Sequence, residues 1–531
     1  MASLRGRPGT TYPAPVAEIR VVEVLAALAL TTDLASGVAF EKGLRTCAVA
    51  TAFTGALGLP GEERRAVFEA ALLRAIGCTA HAPENGAMFG DDVAFQASLK
   101  ELDPGDPAVF ARQLQEFGSW AGADAPKLAR VFQREAATTG PRAARAGCDV
   151  SRALGRRLGL TGAAIDALDE VYERWDGLGI PDGVAGDALT YTARIVHVAE
   201  QAVLSHETGG RAAALAEIRR RAGGHLDPDL VAAFTAAAES TLAPLAEPDI
   251  LAAVLAAEPG PVAFVPFGDV GRLCSALAVV GDLKGLYLLG HSAHVAEVVT
   301  ASGRLAGLEP SELADLRAAA LVHDLGRVTV PSSVWDSPKP LGIADLERVR
   351  LHSYWTGRVL ERVPALRPLA LVASAHHERT DSTGYHRGVA AADLPFAARL
   401  LAAADVFAAL TEPRPHRPAM SVTAAVAELV DAASAGQLDP SACAAMVEAA
   451  GLPRPRLPLP ANLSEREAEV LRLAARGLSN RTIGTRLGIS DRTVGHHLAH
   501  IYDKTEVRTR AGIAVFAMEH GLLRDEQAGV G

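Results

Sequence analysis

Residues 291 to 405 hold seven side chains of metal-ligating type: His291, the adjacent pair His323-Asp324, His352, the adjacent pair His376-His377, and Asp405. Each lies in an apolar, helix-like frame, as in "LVHDLGRV" around position 323. A lone histidine in such a setting is ordinarily a satisfied core or surface group, and His294, His386 and His416 are read that way. Burying all seven groups, from about five helical segments, is costly unless they are paired or coordinated. A metal centre meets that requirement. Imidazoles favour transition metals such as Fe, Mn or Zn over Mg or Ca, and a carboxylate has lone pairs enough to bridge two cations. Two cations ~3.5–4 Å apart stabilise an in-line displacement at phosphorus, so the set suggests phosphodiester hydrolysis.

The elements that must position these residues occur twice. "ERWDGLGIPDGVAGDALTYTARIVHVAE" from Glu173 and "ERTDSTGYHRGVAAADLPFAARLLAAAD" from Glu378 match at an offset of 205. Upstream, "GLPGEERRAVFEAALLRAIG" ending at Gly77 and "GLEPSELADLRAAALVHDLG" ending at Gly326 match at an offset of 249, as do Asp33-Leu34 and Asp282-Leu283. The difference of 44 residues places an insertion in the first copy, between Glu84 and Gly140. "HLDPDLVAAFTAAAE" and "QLDPSACAAMVEAAG" close the two copies. Where the second copy has His323-Asp324 and His376-His377, the first has Arg74-Ala75 and Val171-Tyr172. Only the second copy is therefore expected to bind metal, with the first as its intramolecular partner. The expected divisions are 1–245, 246–452, a proline-rich tether at 453–460 and a C-terminal module at 461–525.

A chain of 531 residues exceeds one hydrophobic core, and 49% hydrophobic residues with only 5% aromatics favours packed helices over sheets. An all-α architecture follows: two similar helical domains and a small helical tail. Cys47, Cys78, Cys148, Cys274 and Cys443 have no zinc-type spacing and are odd in number, so neither a disulfide framework nor a zinc site is indicated. No signal segment or membrane span is evident, which predicts a cytoplasmic protein without membrane contact. The net charge of −10 argues against general nucleic-acid binding. Residues 461–525, however, carry ten Lys and Arg against eight Asp and Glu, a net +2 that sets them apart from −12 elsewhere.

The order H, HD, H, HH, D resembles the HD-GYP branch of the HD-domain metal-dependent phosphohydrolases, well over residues 265–450 and as a degenerate copy over 20–240. The motif residues are His291 in "HSAHVAEVV", His323 and Asp324 in "HDLGR", His352 in "RLHSYW", His376 and His377 in "HHERTDSTGYH", and Asp405 in "ADVFAAL". The resemblance implies that Asp324 bridges two metals, with His291, His323 and Asp405 on one and His352, His376 and His377 on the other. It implies hydrolysis of cyclic di-GMP or a related nucleotide, with Asp324 and Arg327 catalytic; Arg327 stands at the family's lysine. There are departures. GYP is Gly384-Tyr385-His386, the preceding DG is Asp381-Ser382, the second Asp of DxxDA is Ala408, and Tyr287 replaces a Glu that some members carry.

In the tail, Ser464 and Glu467 stand in capping-box register, Gly477 marks a helix stop, and "SNRTIGTRLGIS" gives a short helix, a turn at Gly488 and a new N-cap at Ser490. This is helix-turn-helix spacing. In the last helix Val494, Leu498 and Ile501 face inward, leaving Arg492, Gly495, His496 and Ala499 on a stripe suited to a major groove. Over 461–523 the segment resembles the LuxR-type helix-turn-helix domain, which implies DNA contacts from Arg492, Thr493, His496, His497 and Lys504. Gly495 replaces a common lysine and weakens the helix by about 1 kcal/mol, so paired half-sites and a homodimer are expected.

The combined expectation is a DNA-binding regulator whose second domain, with two transition-metal ions (Fe or Mn), hydrolyses a nucleotide phosphodiester. The alternatives are a metal- or nucleotide-sensing regulator without turnover, and an HD hydrolase of another phosphate ester.

Overall fold

The structure is a computed structural model and describes residues 18–100, 102–453, 459–519 and 522. Among them the regular elements are helices apart from one antiparallel pair of short strands, Glu18–Arg20 against Phe264–Pro266, in line with the all-α expectation. That pair ties the start of the first copy to the start of the second. Residues 454–458 of the expected tether lie outside the described residues, as do 1–17 of the first expected domain and 520–521 and 523–525 of the tail.

Alanine-rich helices with small side chains pack closely, and both copies contribute to one continuous hydrophobic cluster running from Ile19 to Met446. The helix Val21–Ala35, buried along nearly all its length, opens the first copy and also packs on the tight turn Leu325–Thr329 and the helix His352–Arg362 of the second. The tail has its own core, built on Val470, Leu471, Ile483, Val494, Leu498 and Ile501.

The duplication is visible atom by atom. Asp33 accepts the backbone N–H of Gly43, and Asp282, at the 249 offset, accepts that of Ser292. A Cβ on Gly77 would overlap the carbonyl of Gly147, and one on Gly326 that of His352. Glu173 accepts the N–H groups of Asp182 and Val184; Glu378 accepts those of Arg387 and Val389. Arg194 pairs with Asp227 as Arg399 pairs with Asp439. These shared contacts hold loops and helix ends, so they persist whether or not a copy has ligands.

Where the copies diverge, the first has replaced its ligand chemistry with an internal ion cluster. Lys42 stands at the position of His291, Arg74 at that of His323, and Glu200 at that of Asp405. The Lys42 ammonium contacts Glu200, and Arg74 Nε lies 2.6 Å from Glu200 Oε2, all three with little or no exposure. Burial would raise the Glu200 carboxyl, but Arg74, Lys42 and Lys100 hold it far below the usual carboxylate range. The helices Ala82–Phe89, Asp92–Leu99 and Pro107–Glu116, and the first half of Ala125–Leu158, span the stretch from Glu84 to Gly140 in which the offsets place the insertion.

Glu200→Gln is expected to destabilise the protein by about 3–5 kcal/mol at neutral pH, because two buried cations lose their anion. A carboxylate depressed on folding contributes stability above its unfolded pKa of about 4.3 and loses it as the pH falls further. The gap in urea midpoint between wild type and variant should therefore be full at pH 7 and narrow below about pH 4.

Candidate metal centre

The helix His291–Leu305 begins at His291 because Gly290, at φ 81°, turns the chain in and Asp282 takes both the N–H and the hydroxyl of Ser292. The helix Pro310–Val322, started by a Glu309/Glu312 capping box, ends at His323, and Asp324 opens the following tight turn. Gly326 lets that turn lie against the start of His352–Arg362, where Thr356 Oγ1 donates to the His323 carbonyl and accepts from Gly326 N–H, each at 2.9 Å. The helix Arg367–Ser374 stops just before His376 and His377, and Asp405 lies within Phe396–Thr411. All seven expected ligands converge.

They fall into two sets, His291, His323, Asp324 and Asp405 in one and His352, His376 and His377 in the other, with ligand atoms in each set within 4.8 Å of one another. Asp324 lies between them. Its Oδ2 is 2.9 Å from His323 Nε2 and 3.7 Å from His291 Nε2, while Oδ1 is 3.2 Å from His352 Nε2 and 3.5 Å from His376 Nε2. The Nδ1 atoms of His323, His352 and His376 face the carbonyls of Ala320, Val349 and Ala373 at 2.6, 2.5 and 2.7 Å. A carbonyl only accepts, so each Nδ1 carries a proton and each Nε2 is turned toward Asp324. Both Asp324 oxygens and His323 Nε2 are buried without a hydrogen-bond partner among the described residues. Hard and borderline donors, fully desolvated and pointed at common centres, suit divalent transition metals.

The electrostatics agree. Burial, reinforced by His376 and His352, holds His377 well below its ordinary value, and burial takes His376 down to about 4, so both are neutral ligands at pH 7. For His323 burial acts downward, but Asp324 and Asp405 outweigh it and raise the imidazole to about 10. Burial would raise Asp324 as well, yet Arg327 and His323 beside it keep it ionised. The space between these carboxylates strongly favours positive charge. Arg327 lies against Asp324, with its guanidinium 5.1 Å from the Trp335 ring.

One participant was not apparent in the sequence. Glu412, seven residues past Asp405, accepts from His291 Nδ1 through one oxygen and pairs with His294 Nδ1 through the other, both at 2.8 Å. Burial would raise it, but these two histidines bring it down to about 2. It orients His291 as the carbonyls orient the other three imidazoles. His294, read as a surface group, is part of this arrangement. Nothing in the local pattern marks Glu412, since it lies past the end of its helix and meets His291 only through the fold. Tyr287 and Ala408 supply no ligand; Ala408 is buried against the core and Tyr287 is exposed.

In the tail, the Ser464/Glu467 capping box, the left-handed Gly488 and the Ser490 N-cap all form, and Val494, Leu498 and Ile501 are buried. Arg492 and His496 are exposed, with Thr493 and His497 half-buried beside them. Lys504, expected at DNA, donates to Glu467 at 2.7 Å and to the Asn462 carbonyl at 2.9 Å. Its charge balances the capping-box carboxylate and so serves the domain's own packing.

Residues 282–442 match the HD domain family, and residues 461–517 match the luxR family of bacterial regulatory proteins. The chain carries an HD domain followed by a LuxR-type domain. The chain is 29% identical over 443 residues to 3'3'-cGAMP-specific phosphodiesterase 3 of Vibrio cholerae, covering 81% of this chain and 94% of that one. Over 143 residues it is 34% identical to a cyclic di-GMP phosphodiesterase response regulator of Xanthomonas campestris, 27% of this chain and 37% of the relative. A crystal structure of a V. cholerae cyclic GMP-AMP specific phosphodiesterase shares the fold, with a TM-score of 0.57 at 23% identity over 82% of this chain and 99% of that one. No helix among the described residues is long and apolar enough to cross a membrane.

Two substitutions separate the roles in the HD domain. Asp324→Ala is expected to abolish binding at both ligand sets, since its Oδ2 is 2.9 Å from His323 Nε2 in one and its Oδ1 3.2 Å from His352 Nε2 in the other, whereas Glu412→Gln should weaken metal affinity about 10–100-fold without removing a ligand. Elemental analysis and competition against a chelator check both.

Proposed function

We propose that the HD domain hydrolyses a cyclic dinucleotide, of the 3'3'-cGAMP or cyclic di-GMP class, at a centre of two divalent transition-metal ions, Fe or Mn. The observation that carries this reading is Asp324, whose two oxygens each face a separate set of imidazoles. The names and extents of the matched relatives support the substrate class.

His291, His323 and Asp405 would hold one ion and His352, His376 and His377 the other, with Asp324 shared. When bound, such ions act as Lewis acids on phosphoryl oxygens and lower the pKa of water. The chain's own residues do the rest. Arg327 is placed by Trp335, whose indole N–H donates to the Arg327 carbonyl at 3.2 Å, and its Nε and Nη1 have no hydrogen-bond partner among the described residues. Two N–H groups are thus available to a phosphate oxygen. Tyr385, stacked on His377 at 4.7 Å, forms one wall beside that imidazole.

The tail, in this reading, binds double-stranded DNA through Arg492, Thr493, His496 and His497 as a homodimer on paired half-sites, in the cytoplasm. Lys504 is assigned to stability. If metal or nucleotide controls DNA binding, coupling is reciprocal and DNA must alter affinity at the HD domain by the same factor.

The test is hydrolysis of 3'3'-cGAMP and cyclic di-GMP by Mn- or Fe-loaded protein. Turnover of either, with Arg327→Met lowering kcat about 10²-fold at unchanged metal content, is the expected result. Full metal loading without turnover of any phosphodiester would mean a sensing domain instead. For the tail, Arg492→Ala should weaken binding to a specific DNA about 10-fold at fixed salt, while Lys504→Met should lower the tail's melting temperature.

A further inference from the structure

The first copy encloses a pocket of about 220 Å³ between the helices of its insertion and the helix Ala125–Leu158. By the two repeat offsets, its wall residues Gly77, Tyr172 and Ile180 correspond to Gly326, His377 and Tyr385 around the metal centre. The pocket therefore occupies the ligand side of a copy that has exchanged its metal ligands for the Lys42–Glu200–Arg74 cluster. Its walls are the rings of Phe89, Phe95 and Phe132, the first two stacked at 3.9 Å. No Lys or Arg lines it, and Glu135 does, so anions are disfavoured. Two polar atoms of its lining, His81 Nε2 and Thr139 Oγ1, are buried without a hydrogen-bond partner among the described residues. Each such atom is destabilising until something bonds to it. A dry cavity of about 150 Å³ accepts benzene, so this volume suits one or two fused rings and is too small for a cyclic dinucleotide.

We propose that this pocket is an effector site for a small, neutral aromatic molecule with a hydrogen-bonding edge, and that its occupancy is relayed to the metal centre of the second copy. This goes beyond hydrolysis and DNA binding, and it depends on neither.

The relay is a short series of contacts. Phe89 and Phe95 belong to the helices Ala82–Phe89 and Asp92–Leu99, and the junction between those helices grips the second copy. Asp92 holds the fully buried Lys284 ammonium and accepts the Ser332 N–H at 2.6 Å. The Gly90 carbonyl accepts the Ser333 hydroxyl, and Asp91 pairs with Arg348 at 2.9 Å. Gly86 lies so close to Ser332 that an added Cβ would meet it at 2.9 Å. The gripped helix, Ser332–Trp335, carries the indole that faces Arg327 and packs edge-on to His352 at 5.8 Å. A ligand that wedges or draws together Phe89 and Phe95 must move the segment that seats Arg327, and it shifts that equilibrium by its differential affinity for the two positions.

The experiment uses metal-loaded full-length protein with indole as the probe, read by calorimetry and by hydrogen exchange, neither of which needs turnover. Expected are saturable binding with Kd on the order of 0.1–1 mM, loss of that binding in Ala136→Phe, which fills the pocket, and slowed exchange across residues 325–336 when indole is bound. Thr139→Val, which keeps the shape and removes the hydroxyl, should bind about 3–10-fold more weakly, and it keeps the test decisive should Ala136→Phe unfold. Absence of saturation by about 10 mM, or binding undiminished in both variants, overturns the site. Binding that leaves exchange across 325–336 unchanged overturns the relay.

Discussion

A carboxylate that is 2% exposed, set between two groups of imidazoles and against the Arg327 guanidinium, is the constraint around which the second copy is built. Asp324 can be tolerated there only with positive charge on both sides. The surrounding elements are arranged to supply donors for that charge. Four imidazoles have Nδ1 engaged by a carbonyl or by Glu412, so that Nε2 faces inward. Gly326 lets the turn carrying Asp324 lie against His352, and Thr356 bonds the turn in place.

The first copy faces the same burial problem and meets it with cations of the chain itself. A lysine and an arginine replace two imidazoles around a retained carboxylate, and the cations travel with the chain. What remains common to both copies is the framework: the aspartate that caps the ligand helix, the glutamate that clamps the loop, and the glycine at the helix contact. The ligand positions are among those that have diverged, while the insertion gives the first copy a grip on the active-site segment of the second. A single core running through both copies means that neither can shift without the other responding.

The ligands were legible in the sequence because their chemistry is expensive to bury and because the second copy could be read against the first. Helix content, the capping box at Ser464 and the turn at Gly488 were legible because they are local. The misses have a common cause, which is that they depend on residues far apart in sequence. Glu412 reaches His291 across 121 residues, and Asp92 reaches Lys284 across 192. Lys504 carries a charge suited to DNA, and only the fold shows that it also meets Glu467, 37 residues away. Glu200 was overlooked for a different reason. A carboxylate at the last aligned position looks like conservative drift until Lys42 and Arg74 are seen around it.

The central claim is that two cations flank Asp324 and that none resides in the first copy. Anomalous diffraction at the absorption edge of the loaded metal, from crystals of the full-length protein, locates them directly. The account predicts two peaks on opposite sides of the Asp324 carboxylate, one among His291, His323 and Asp405 and one among His352, His376 and His377. A single peak, or a peak beside Glu200, would contradict it.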